Sequence, residues 1–261
     1  KDVKHLLAND IGVASIDSPI TGEGLGDEIV SVVVENFGTN PHSNIEVSYI
    51  INGDVPVVET ITNTINSLEA FTYNFTQPVD ASQLGDYTIV ATTLLAGDQD
   101  MSNNEVSKLF IHEQCNPQSD CSDGDGFSKF EIGTISNINE ICSPNGYSDF
   151  TNLSTDLNAD VPINLTVASD FGNQLFSVFI DFNDNFVFET NELVVIDEEI
   201  PNANVDAIVQ FTLPDDPVIA GTHLLRARAG WLQSEATTAD GCINFTYGET
   251  EDYTVNVMTT L

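Results

Sequence analysis

The chain has 261 residues, enough for one large or two ordinary domains, and 41 % of them are hydrophobic, enough to bury a core. Six Lys and Arg stand against 41 Asp and Glu, a formal net charge of −35, yet charged residues total only 18 %, so the imbalance comes mainly from missing cations. Nucleic acid and anionic membrane surfaces are bound through Lys and Arg that displace counterions, so both are excluded as expected partners, and a divalent cation is the natural counter-charge.

Between residues 10 and 112 lie seven short runs in which apolar and polar residues alternate: DIGVASI, EIVSVVVENF, NIEVSYII, PVVETIT, AFTYNF, YTIVATTLL and EVSKLFI. Alternation puts one face of each run in a core, and the turn clusters between them (TGEGLGD, GTNPHSN, NGD, AGDQDMSNN) give the spacing of a β-sandwich. LGDY at 84–87 predicts a tyrosine corner, with the Tyr87 hydroxyl bonded back to nearby backbone. The polar stretch HEQCNPQSDCSDGDG at 112–126 marks a boundary, giving an Ig-like domain over 1–112 and a second β-sandwich over 113–261. In the second block the predicted strands are FSKFEIGTIS, VPINLTVAS, LFSVFIDF, ELVVIDEEI, AIVQFTL, THLLRARAGW and DYTVNV. The expected fold class is therefore all-β, two sandwiches in tandem. No stretch approaches the ~18 apolar residues of a membrane span, so membrane insertion is not expected. The chain opens at Lys1 without an apolar signal region and reads as a mature or excised segment.

All four cysteines, Cys115, Cys121, Cys142 and Cys242, lie in the C-terminal part without a CxxC pair, which disfavours zinc and suits two disulfides in an oxidising compartment. The expected pairing is Cys121 with Cys142, enclosing the FSKFEIGTIS run, and Cys115 with Cys242, tying the domain's beginning to its last turn. Each bridge restricts the unfolded chain by roughly 2–4 kcal/mol.

DFNDNFVFETNE at 181–192 is the most specific local signal. Placed on a twelve-residue calcium loop, Asp181, Asn183 and Asn185 fall at positions 1, 3 and 5, Val187 offers its carbonyl at 7, Glu189 stands at 9 and Glu192 at 12. Oxygen ligands at alternate positions of a curled loop converge on one hard cation, so Ca2+ is the expected cofactor. Phe186 occupies position 6, where Gly normally makes the sharp turn. The acidic loops DCSDGDG at 120–126 and DQDMSNNE at 98–105 lack a twelfth ligand and are read as solvated turns.

Arg226 and Arg228 alternate in LLRARAG and share one strand face, so the expectation is an ion-pair network with Glu249, Glu251 and Asp252 of GETEDY; the rival reading has them grip an anionic ligand. Trp231, Phe182, Phe186, Phe188 and Tyr247 are candidates for a stacking platform, with Trp231 and Phe186 the best placed for exposure. No catalytic residues are assigned: GxSxG, HExxH and phosphate loops do not occur, HEQCN ends on Asn116 where a zinc protease needs His, and no carboxylate pair stands out among 41 acids.

The second block resembles the GEVED domain of secreted proteins of Bacteroidetes-type bacteria, in the order CNPQ, Cys121, FEIGTISN, Cys142, GYSDFTNLST, VFIDFNDNFVFETNELV, LLRARAG, Cys242 and YGETEDYTVNV, over about 115–257. Thr250 replaces the usual Val of the closing motif, and Phe186 the usual Gly of the central run. The first block is similar to a CARDB-type Ig-like adhesion module through VVVENFGTN, LGDYTIVATT and SNNEV. The resemblance implies an accessory region of a larger exported protein, secreted or on the cell surface, flanked by further domains of the same polypeptide. The expected function is a non-catalytic binding module for a polymeric glycan or protein, neutral or cationic given the field of −35 charges. The alternatives are a calcium-stiffened spacer or a carboxylate hydrolase.

Overall fold

A computed structural model describes residues 6–139 and 141–260. The chain divides into two compact units between Gln114 and Cys115.

The N-terminal unit contains β1 (Ile11–Ser18), β2 (Asp27–Glu28), β3 (Ser31–Asn36), β4 (Ile45–Ile51), β5 (Val57–Ile61), β6 (Ala70–Asn74), β7 (Val79–Asp80), β8 (Gly85–Leu94) and β9 (Glu105–His112). Each predicted run of this block forms a strand. One sheet has the order β1-β3-β6 and another β5-β4-β8-β9, both antiparallel, with β2 and β7 a short pair. The alternation in SVVVEN sends Val32 and Val34 inward, where they meet Val13, Ile45, Val47, Ile89 and Phe110 in a core shared by both larger sheets. The Tyr87 hydroxyl donates to the Gln83 carbonyl at 2.8 Å and its ring stacks on Phe110, so LGDY makes the tyrosine corner.

The C-terminal unit contains β10 (Lys129–Ile132), β11 (Ile135–Ile138), β12 (Tyr147–Asn158), β13 (Ile163–Ala168), β14 (Gln174–Ile180), β15 (Leu193–Ile200), β16 (Ala207–Phe211), β17 (Gly221–Trp231) and β18 (Gly248–Met258). Its sheets run β11-β10-β13-β16 and β12-β18-β17-β14-β15. Phe130, Leu165 and Val167 of the first face Phe176, Val178, Leu225, Ala227 and Tyr253 of the second across one core. FSKFEIGTIS is not one strand but the hairpin β10–β11, because Gly133 turns the chain with φ +56°. β12 has no counterpart among the predicted runs; its Asp-, Asn- and Ser-rich sequence is carried by parallel pairing to β18, with a register shift between Phe150 and Ser154.

β14 is buried at all seven positions, and so is β17 from Leu225 to Gly230, because the outer face of the five-stranded sheet is covered too. Segments around Cys115 and 240–245 lie over that outer face, held by Arg226 and Arg228. Disulfides join Cys115 to Cys242 and Cys121 to Cys142.

Candidate functional site

The loop 181–192 connects β14 to β15 and begins where β14 leaves the core, the Asp181 amide donating to the Leu224 carbonyl at 2.9 Å. Asp181 folds the loop around itself: its carboxylate accepts the amides of Asn185 at 3.2 Å and Phe186 at 2.8 Å. Asn183 accepts the Asn185 amide, and Asn185 that of Val187, so side chains at alternate positions point into one turn. Both Asn side-chain amides donate to Glu189. Glu192 closes the loop from its far end, accepting the amides of Phe182 at 3.0 Å and Glu189 at 3.1 Å within a reciprocal capping box over the turn Thr190–Glu192. Phe186 adopts φ +63°, the left-handed conformation that Gly supplies at this position of calcium loops.

Two buried carboxyl groups set the electrostatics of this loop. Asp181 and Glu192 are 0 % and 1 % exposed, and neither has a Lys or Arg partner among the described residues. Burial, only partly offset by the Phe186 and Asn185 amides, pushes the Asp181 carboxyl above its ordinary range. Burial and a hydrogen bond shared with Glu189 push Glu192 up to about 8. Glu189 is held low despite its own desolvation, because Glu192, Asn185 and Asn183 donate to it. The donor set is oxygen throughout, as calcium requires. Among the described residues the carboxylates of Asp181, Glu189 and Glu192 do not all lie within 4.8 Å of one another, so they do not form a closed metal-ligating cluster.

The aromatic candidates separate into different places. Phe188 is buried beneath the Arg226 guanidinium, 4.3 Å from its ring centroid, and Phe182 packs edge-on to His223. Phe186 stays half-buried in the loop, so the five rings do not form one platform. Trp231 and Tyr247 do meet, at 5.9 Å and 79°, and Phe171 joins them at 6.1 Å and 88° from Trp231. These three rings, with Asp123 and Asp125, line a pocket of about 220 Å³. The acidic loop 120–126 thus serves as one of its walls; the loop 98–105 is a turn in which Asp100 caps Met101–Asn103. The sequence does not join these residues into one site, since Asp123 and Asp125 of the acidic loop stand nearly 50 residues from Phe171 and over 100 from Trp231.

The arginine network is smaller than the sequence implies. The register of β17 on β18 sets Arg226 opposite Asp252 and Arg228 opposite Thr250, while the pleat turns Glu249 and Glu251 to the other face. There Glu249 accepts the Phe127 amide and Glu251 accepts the Tyr253 hydroxyl. Arg226 grips Asp252 with two 2.7 Å bonds and donates also to the carbonyls of Gly241 and Cys115. Arg228 is bound by the Thr250 hydroxyl at 3.0 Å, the carbonyls of Asp240 and Ile243 and the face of Phe245, with no direct carboxylate partner. Burial, then the nearby charge of Arg226, pulls it down to about 9. Both guanidiniums are completely buried and occupied, so neither presents a surface for an anionic ligand.

The GEVED domain family model matches residues 175–256, which span most of β14, the 181–192 loop, both arginines and most of β18. Residues 175–256 of the C-terminal unit are thus similar to the GEVED domain family. No curated protein matches the chain. Among solved structures, the CARDB domain of a Pyrococcus furiosus protein in complex with di-metal ions is similar over 42 % of this chain and 95 % of that one, at 22 % identity and TM-score 0.35. Fibronectin(III)-like modules of Clostridium thermocellum CbhA match over 93 % and 94 %, at 12 % identity and TM-score 0.22. The calcium binding domain CBD12 of CALX1.1 matches over 88 % and 93 %, at 9 % identity and TM-score 0.27. Likenesses this distant carry no functional information.

Proposed function

We propose that this chain is a non-catalytic, calcium-stiffened binding module of a larger secreted or cell-surface polypeptide, and that it holds a polymeric glycan or protein ligand. The observation that carries the reading is the burial of Asp181 and Glu192 inside a twelve-residue oxygen-lined loop, with neither paired to a Lys or Arg among the described residues. A buried carboxylate without counter-charge is costly, and a hard cation relieves it. Asp181, Asn183, Asn185, Glu189 and Glu192 supply side-chain oxygens and Val187 its carbonyl, a set without His or Cys that suits calcium better than zinc. Two disulfides agree with an oxidising, extracytoplasmic compartment. No helix among the described residues is long and apolar enough to cross a membrane. The pocket at Trp231 favours a binding role over a pure spacer.

Thermal unfolding in calcium and in chelator tests the reading. Calcium at a hundredfold excess over Kd is expected to add about 2.7 kcal/mol through mass action, and Asp181→Ala to abolish the response. Equal melting temperatures in calcium and chelator at low salt, where unscreened acids suffer most, are incompatible with a calcium loop.

A further inference from the structure

The pocket at Trp231 has a composition that selects among ligands. Its lining is three aromatic rings, Phe171, Trp231 and Tyr247, and two carboxylates, Asp123 and Asp125. We infer that this pocket binds an organic ammonium group, with the rings as walls and the two aspartates as counter-charge. The inference deepens the binding-module reading and rests on it only in that the module has a ligand; calcium plays no part in it.

Shape and charge both lead to this ligand. The rings stand at 88° and 79° to one another, so they bound a corner and not the flat platform on which a neutral sugar stacks. A compact cation gains from contact with several ring faces at once, because each carries negative quadrupole charge. Asp125 is 6 % exposed and one of its oxygens accepts from Gln174 at 2.8 Å. Burial, and then the charges of Asp123 and Asp120, push its carboxyl above the ordinary range, so the site is short of positive charge.

The cations among the described residues do not supply that charge. Among the described residues, Lys108 donates to the carbonyls of Ile16 and Asp17, Lys129 pairs with Asp206, and both arginines are buried elsewhere. A hard divalent cation needs a shell of six or more oxygen ligands, and these walls are mostly carbon faces.

The pocket is also preorganised. Asp120 bridges to Tyr247 and its carbonyl accepts the Gly248 amide, while the Trp231 amide donates to the Tyr247 carbonyl. The Gly124 carbonyl accepts the Phe171 amide at 2.9 Å. Gly124 has φ +90°, and a Cβ there would stand 3.0 Å from that of Asp170, so only glycine lets the acidic loop approach the Phe171 wall. The Cys121–Cys142 bridge ties the loop down at its other end.

Trp231 is the chain's single Trp, so intrinsic fluorescence reads the pocket directly. The whole chain is titrated with butylamine, glucosamine, and their uncharged counterparts butanol and N-acetylglucosamine, in calcium throughout. At least one ammonium probe is expected to give a saturable change, at least tenfold tighter than its uncharged counterpart; which amine does so separates a lysine-like from an amino-sugar source. The double variant Asp123→Asn/Asp125→Asn, which keeps an oxygen for Gln174, is expected to weaken it at least fivefold. Circular dichroism checks that this variant folds, and Asp123→Asn alone, at an exposed position, serves if it does not, with at least a twofold loss expected. Equal response to charged and uncharged probes, no response to either amine, or full amine affinity in a folded Asp variant overturns the inference. Capture of a neutral polymer that Trp231→Ala abolishes, without amine binding, sinks the ammonium inference and leaves the module reading standing; capture of no polymer by the wild-type chain sinks the module reading by itself.

Discussion

Asp252→Asn tests how the C-terminal unit is held together, because it removes one charge and little volume from a buried pair. Arg226 is 0 % exposed and Asp252 also 0 %, and two 2.7 Å bonds join them. Without the carboxylate, the guanidinium keeps the carbonyls of Gly241 and Cys115, the Cys115 sulfur, the Phe188 and Tyr147 rings and the new amide oxygen, all neutral. Removing one partner of such a pair costs about 3–5 kcal/mol, because the other charge stays buried. At roughly 2–4 °C per kcal/mol for a domain of this size, the melting temperature is expected to fall by about 6–20 °C. The double variant Arg226→Met/Asp252→Leu leaves no charge behind, and its loss is expected to fall well short of the sum of the two single losses. Differential scanning calorimetry of the wild type, Arg226→Met, Asp252→Leu and their double variant closes the cycle, with Asp252→Asn measured beside them. A loss below about 1 kcal/mol in Asp252→Asn, or strict additivity in the double variant, refutes the reasoning and reopens the case for Arg226 as a ligand-gripping residue.

Two further expectations follow from the loop and the bridges. Cys115–Cys242 spans 127 residues and Cys121–Cys142 spans 21, so chain entropy assigns about 5 and about 3 kcal/mol. Urea unfolding of the two Cys→Ser pairs is expected to rank them in that order, and a reversed order contradicts the chain-entropy account. In the 181–192 loop, the φ of +63° at Phe186 costs a residue with a Cβ about 1–2 kcal/mol that Gly does not incur. Phe186→Gly is therefore expected to raise the melting temperature in chelator as well as in calcium; a lower melting temperature in both shows that the half-buried ring, not the backbone turn, governs the loop.

Local pattern was sufficient for much of this molecule. Period-two alternation marks a strand because successive side chains of a strand point to opposite faces, and it located all seven runs of the N-terminal unit. The spacing of Asp181, Asn183, Asn185, Glu189 and Glu192 is likewise a local property, since a twelve-residue loop can close on itself without help from distant chain. β12 escaped because its polar side chains alternate poorly, and the pairing that makes it a strand comes from β18, about a hundred residues later. The partners of the arginines depended on register as well: nothing in GETEDY says which acids face β17, and the pleat leaves only Asp252 and Thr250 opposite Arg226 and Arg228. The same holds for the pocket, whose five residues come from four separated segments. Sequence alone thus determined what neighbours along the chain can settle: strand periodicity, the excess of acid and the oxygen-bearing loop. Tertiary structure decided what depends on long-range pairing: which charges are buried together, and which aromatic rings meet above the acidic loop.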